Sequence, residues 1–479
     1  MNRRQLLKRG AFLGTGAALA PFAQAVGAND QLRVAVIGIR SRGRSHLQAV
    51  LKSPHARLVA VCDVDPAVLA KEVAALKKDH SLPQLRTFSD YRKVCEDKEI
   101  DAVMIATPNH THALIAITAA AQGKHVYVEK PVSHNVHEGR ILAAAQKKFG
   151  VLIAHGFQHR SNSAWGEMFA WLREEKALGT LTLARGFCYK PRKSIGKVSQ
   201  PQTPPQGLDY SLWLGPRAEE PVRRQQFHYD WHWQSPYGNG DLGNQGPHQL
   251  DICRWAIGDP AALPRQLFSI GGRLAHTDDG DVPNTQIVYY DTEPAPILFE
   301  VRGLPQKGLD YEAGMDRYRG LSIGNVLEYE GGYVTGDHHP TCVAYDRDGK
   351  ELKRFQQRGD AFGEFIEAAV GRKKQLSMQN AESGHLSSAM AHLGNHSLAL
   401  GKQQSAEKIA ASLDSPLVQE SFQRMREHLL ANGLGEASLG RGVPLGVDAD
   451  ENFLGDFAAQ AKELDQESYR EEFALPKVS

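Results

Sequence analysis

Residues 33 to 43 read Arg33-Val34-Ala35-Val36-Ile37-Gly38-Ile39-Arg40-Ser41-Arg42-Gly43. A short apolar strand runs into a glycine turn, and an apolar-periodic helix follows from Arg44 to about Leu51. A buried strand feeding a helix through such a turn is how a dinucleotide-binding βαβ unit begins. Gly38 and Gly43 stand at the first and last positions of the G-x-G-x-x-G pattern, but Arg40 replaces the middle glycine. That glycine normally lets the backbone approach a pyrophosphate. Here the phosphates are expected on the helix N-terminus, with Arg40, Ser41 and Arg42 close by.

Working outward, Leu58 to Cys62 form a second buried strand that ends at Asp63, about 20 residues past the last glycine. A carboxylate at that position holds the adenosine ribose hydroxyls and repels a 2′-phosphate, so NAD is expected, with NADP the lesser possibility. Residues 100 to 106 form the next strand, and Thr107-Pro108-Asn109-His110-Thr111-His112 leads from it into a helix. Residues 125 to 128 form another, closed by Glu129-Lys130-Pro131; a helix from His134 to Phe149 and a strand from Val151 to Ala154 complete the pattern. Strands alternating with helices predict a doubly wound parallel sheet. Ligands bind at the carboxyl edge of such a sheet, which is where Lys130 places its ammonium.

The order G-x-x-x-x-G, T-P-N-x-x-H, E-K-P resembles the glucose–fructose oxidoreductase / inositol dehydrogenase (Gfo/Idh/MocA) family over residues 33 to about 400. The resemblance implies a Rossmann half followed by an α+β half with a large open, mostly antiparallel sheet. It implies that the Thr107-Pro108-Asn109-His110 turn, with His112 and Glu129, serves the nicotinamide ribose, that Lys130 is catalytic, and that the Lys130–Pro131 bond is sharp or cis. In the second half, Gly238 to Asp251 resembles the family signature G-G-G-x-x-x-D-x-G-x-H-x-x-D. The histidine is present as His248, but Asn244 stands where the family has aspartate. Asn cannot take a proton at neutral pH, so acid–base work falls to His248, whose imidazole suits proton abstraction from an alcohol, and to Lys130. Asn244 can still orient a hydroxyl. Arg160, His228, His232, Tyr237, Asp251 and His385 are candidate substrate contacts. The histidines show no metal-ligand spacing, so no metal is expected.

The 479 residues exceed one ordinary core. The domains are expected at 29–155 (Rossmann) and 156–400 (substrate), with a helical, charged extension at 401–479. A net charge of +1 gives no electrostatic case for nucleic acid. Cys62, Cys95, Cys188, Cys253 and Cys342 form no Cys-x-x-Cys pair and are expected as buried thiols.

Residues 1 to 28 carry Arg3-Arg4, a weakly apolar middle and Ala23-Gln24-Ala25, which resembles a twin-arginine signal. The expectation is export of a folded protein by the twin-arginine machinery to the periplasm, with no stable membrane anchor. Outside the cytoplasm there is no soluble NAD pool, so a tightly bound cofactor is expected. The sequence therefore predicts hydride transfer between a sugar or polyol CH–OH and retained nicotinamide, in a homo-oligomer of the kind the family often forms. Two alternatives stand beside it. One is a redox-neutral NAD-dependent glycosidase working by oxidation, elimination and reduction. The other is a non-catalytic sugar- or NAD-binding protein.

Overall fold

The computed structural model describes residues 31–161, 163–337, 340–371, 380–466 and 468–478. The expected export signal lies outside them. The first sheet contains β1 (Leu32–Ile37), β2 (Ala56–Cys62), β3 (Arg86–Phe88), β4 (Ala102–Ile105), β5 (His125–Val128) and β6 (Ile153–His155). Its order is β3-β2-β1-β4-β5-β6, parallel throughout. Every residue of β4 is buried, as a strand covered on both faces requires. The order reverses between β1 and β4, and this switch point opens the crevice where such sheets bind ligands.

The connecting helices are α1 (Ser41–Lys52), α2 (Pro66–Asp79), α3 (Tyr91–Glu96), α4 (Asn109–Ala121) and α5 (Val136–Phe149). Local chemistry sets their ends. Asp65 caps α2 by accepting from the Ala67 and Val68 amides, with Pro66 in the first turn. Asn135 caps α5, and Gly150 ends it in the left-handed conformation. One face of the sheet packs against α4 and α5. The other packs against α1, α2 and a helix from far along the chain, Ala361–Ala369, which inserts Phe365 and Ile366 beside Val34, Leu47 and Tyr127.

The second sheet contains β7 (Leu181–Tyr189), β8 (Gln266–Gly272), β9 (Thr285–Asp291), β10 (Ile297–Arg302), β11 (Ile323–Tyr329), β12 (Gly332–Asp337), β13 (Thr341–Asp346), β14 (Glu351–Gln356), β15 (Lys402–Gln404) and β16 (Leu439–Arg441). The order is β14-β13-β12-β11-β7-β10-β9-β8-β16-β15; only the β7/β10 pair is parallel. Helices Ala164–Glu175, Gly246–Ala256 and Ala381–Ala399 cover one face. On part of the other face, helix Pro416–Ala431 seats Val418, Phe422, Met425 and Leu429 against Leu183, Ile270, Ile287 and Leu298. The stretch from Gly401 is thus more than helical: β15 and β16 extend the sheet. Their short polar sequence, Lys402-Gln403-Gln404 in β15, carries no period-2 signal. All five cysteines are free and buried.

Candidate active site

A cavity of about 590 Å³ lies between the carboxyl edge of the first sheet and the second domain. Ligand sites commonly fall between about 300 and 1,000 Å³. Gly38 lines its floor with φ +80°, and a Cβ there would stand 2.7 Å from the Ala106 carbonyl. A Cβ on Gly43 would stand 1.9 Å from the Gly38 oxygen. Both glycines are therefore required, and they let strand, turn and helix close on one another. Arg40 precedes α1 without a side-chain cap, so the helix offers its first amides to an anion. Arg42 lines the cavity, but its charge is matched by Glu129: Nε donates to Oε1 at 2.6 Å.

At the β2 end, Asp63 accepts from the Ile39 amide (3.2 Å) and the Asp65 amide (3.1 Å). Burial pushes its pKa up to about 6, against those hydrogen bonds. Ribose hydroxyls would supply the donors that a half-satisfied buried carboxylate lacks. The turn, the open helix start and Asp63 together fit a dinucleotide.

At the β5 end, Glu129 is buried. Burial opposes its ionisation, but the hydrogen bond from His46 and the Arg42 charge outweigh burial and hold it well below the usual carboxylate range. The Lys130–Pro131 bond is cis. Lys130 Nζ donates to Asn244 Oδ1 at 3.1 Å and to the Asn244 main-chain oxygen. Burial lowers its pKa to about 8, against the pull of Glu129. His248 lines the same cavity; burial, then the Lys130 charge, press its pKa well below the ordinary imidazole value, so it is neutral near pH 7. His248 also lines an adjoining cavity of about 600 Å³. His112 bridges the two loops, its ring nitrogens 2.7 Å from the carbonyls of Thr107 and Pro131. Thr107, Pro108 and Asn109 line the cleft, and Asn109 Nδ2 donates to Asn239 Oδ1 at 3.1 Å.

Several expected site residues serve elsewhere. His110 is buried away from the cleft, 2.9 Å from the Trp213 carbonyl. Arg160 and Asp251 pair with each other at 2.7 and 2.9 Å, and Arg160 also holds Asp259 at 2.8 Å, all inside the second domain. Tyr237 sits in an aromatic cluster with Trp213 and Trp231. His385 is 2.9 Å from Glu451 and off the cleft. His228 does line the cleft, but its Nε2 is 2.8 Å from Asp65, just beyond the end of β2. His232 also lines it, stacked on Trp231 at 3.7 Å, with burial taking its pKa down to about 4. Lys190, Tyr229 and Gln245 line the cleft without having been anticipated. Lys190 directly follows β7, the same strand-end signal that marked Lys130.

Comparison with known proteins settles the family. The description "Oxidoreductase family, NAD-binding Rossmann fold" of Gfo/Idh/MocA matches residues 32–157, and that family's "C-terminal alpha/beta domain" matches residues 176–297. Together they span just over half of the chain. The protein belongs to the Gfo/Idh/MocA oxidoreductase family. Levoglucosan dehydrogenase of Pseudarthrobacter phenanthrenivorans is 28% identical over 242 residues, 49% of this chain and 53% of that protein. A glycosyl hydrolase family 109 protein of a Shewanella strain is 37% identical over 112 residues, 23% of this chain and 24% of that protein. The chain thus spans about half the length of the first and a quarter of the second. The fold is shared with WlbA dehydrogenase of Bordetella pertussis, a structure solved with NADH and UDP-GlcNAcA (TM-score 0.54, 18% identity, covering 75% of this chain and 94% of that one).

For this Gfo/Idh/MocA protein, Asp63→Ser should weaken NAD binding by about tenfold or more, the worth of a charge-assisted hydrogen bond, and relieve the repulsion of NADP. Titration of both nucleotides checks this; an unchanged NAD to NADP ratio contradicts it.

Proposed function

We propose that the protein transfers a hydride between a ring CH–OH of a carbohydrate and NAD retained in the cleft, after export of the folded protein by the twin-arginine route to the periplasm. The observation that carries this reading is Lys130 held by both oxygens of Asn244 in a cleft shared with neutral His248. Bound nicotinamide supplies a hydride acceptor. An uncharged amine has two N–H groups, and Asn244 offers two acceptors, so the Lys130 lone pair stays free to take the proton of a substrate hydroxyl. With a pKa of about 8, Lys130 reaches that form near working pH. His248, neutral and close by, is a second proton acceptor. Lys190 and His232 bound the space in which a sugar would lie.

A second reading has its own support. His232 and His248 are both held neutral in this cleft, which is more proton-carrying capacity than one hydride transfer uses. Oxidation of a ring hydroxyl, removal of the acidified neighbouring C–H proton with expulsion of the glycosidic group, addition of water to the resulting double bond and return of the hydride to the ketone would use it. That route leaves the cofactor unchanged, suits an exported protein without a soluble NAD pool, and dispenses with the paired carboxylates of ordinary glycosidases. The relatives named as family 109 glycosyl hydrolases fit it.

The test is to purify the mature protein, determine its bound nucleotide, and add aryl glycosides or free polyols without added NAD. Aglycone release supports the cleavage route. Nucleotide reduction without release supports simple oxidation. A protein that neither carries nor binds NAD sinks both readings, and one that binds NAD and sugar without turnover is a binding protein.

Asn244→Asp checks the proton assignment. A carboxylate beside Lys130 favours its charged form, so the limb on which the rate rises with pH should move up by about 1 to 3 pH units. An unmoved profile would remove Lys130 from the proton path.

A further inference from the structure

The segment from Gly207 to Tyr237 crosses the cleft as a strap. Leu212, Trp213, His228 and Trp231 line from it the same cavity that Asp63 lines. Four ties join the strap to the strands and helices of the Rossmann domain. Leu212 packs into the core under α4 and α5, the Trp213 carbonyl lies 2.9 Å from His110, His228 lies 2.8 Å from Asp65, and Arg217 Nη2 lies 3.0 Å from His134 Nδ1 and donates to Glu138 at 3.5 Å.

A fifth tie comes from some 250 residues further along. Arg470 Nε donates to the Gly215 carbonyl at 3.0 Å, Nη2 to the same oxygen at 2.7 Å, and Nη1 to Ser211 Oγ at 2.8 Å. Nη2 also reaches the Ser211 carbonyl at 2.5 Å, and the Arg470 amide donates to the Pro216 carbonyl at 3.2 Å. The fork of one guanidinium thus holds the short helix Tyr210–Leu214 through the Ser211 carbonyl and the residue that follows the helix through the Gly215 carbonyl. The anchor itself is fixed to the body of the Rossmann domain. Phe473 is buried in the same core as Leu212, Arg92 lies over its ring at 5.4 Å, and the Tyr469 hydroxyl donates to Glu138 of α5.

We propose that Arg470 is a positioning residue that clasps the 207–237 strap over the bound dinucleotide and so sets the rate at which the cofactor leaves. This rests on the reading of the cleft as a retained-NAD site. A dinucleotide lying between Asp63 and the strap is freed by lifting the strap, and lifting it breaks every bond of that fork. None of those bonds touches the ligand. Losing them therefore changes the escape rate more than the chemistry at Lys130.

The test is NADH release from full-length protein, followed by nicotinamide fluorescence after a chase with excess unlabelled NAD, for wild type, Arg470→Ala and Arg470→Lys. Release from Arg470→Ala should be about tenfold faster or more, with kcat at saturating NAD unchanged, and Arg470→Lys should fall between, since an ammonium cannot make the forked contacts. A residue that only supported folding would lower the melting temperature without this split, and lysine would not rescue the release rate. If Arg470→Ala does not fold, Ser211→Ala and Arg470→Lys, which keep the cation, carry the same comparison. Wild type that holds NADH, with variants that release it no faster, overturns the clasp alone. Wild type that takes up no NADH overturns the functional reading and the clasp with it.

Discussion

Lys130→Met lowers kcat by about 10² to 10⁴-fold, the range for removing a positioned acid–base group, and leaves the protein folded with its nucleotide bound. Methionine is unbranched and of similar length, so it fills the buried stem position. The Glu129 carboxylate loses the Lys130 charge but keeps its two hydrogen-bonded partners, Arg42 and His46. What disappears is the amine that both oxygens of Asn244 hold in the cleft. Steady-state kinetics together with the bound-nucleotide ratio check this. A loss of turnover accompanied by a loss of nucleotide would assign Lys130 to binding instead.

Arg160→Ala costs up to about 3 to 5 kcal/mol of stability, because buried Asp251 loses its two-pronged ion pair and keeps only the Ser387 hydroxyl and Arg254 at 4.0 Å, while Asp259 keeps Arg254 at 3.1 Å. In the native protein, burial works to raise the Asp251 pKa, but Arg160 outweighs it and holds the carboxyl below its ordinary value. A carboxyl whose pKa is depressed on folding contributes stability that is present above the unfolded value of about 3.9 and lost as pH falls through the folded one. Without Arg160, the balance at Asp251 moves toward burial, which favours the protonated form, although Arg254 still opposes it. The deficit of the variant should therefore be largest near neutral pH and shrink on acidification. Denaturant unfolding at several pH values tests both magnitude and sign; a deficit that grows in acid contradicts the assignment.

That result also bears on what the sequence could tell. The Rossmann half was legible because each strand ends on a residue with an evident purpose: Gly38 in a left-handed turn, Asp63 after β2, Lys130 after β5. The meeting of Lys130, Asn244 and His248 followed from the family pattern, and the geometry brings them to one cleft. The residues packed behind the cleft were less legible. His248 and Asp251 are three residues apart on one helix, about 60° around its axis. That suffices to aim one at the cleft and the other at Arg160 in the interior. His110 follows Asn109 directly and so points elsewhere, to Trp213. His385 meets Glu451 and Arg470 meets Ser211 only through tertiary folding, and no local spacing encodes either contact.

The central claim is that this cleft moves a hydride with Lys130 as proton acceptor. The most direct measurement is nicotinamide absorbance in a single turnover, when a carbohydrate substrate is mixed with the NAD-loaded protein across a range of pH. The account predicts reduced nicotinamide forming at a rate that rises with pH through a value near 8, where burial places Lys130, and no signal from Lys130→Met. Substrate conversion with no nicotinamide signal on any timescale, or an undiminished signal in Lys130→Met, would contradict it.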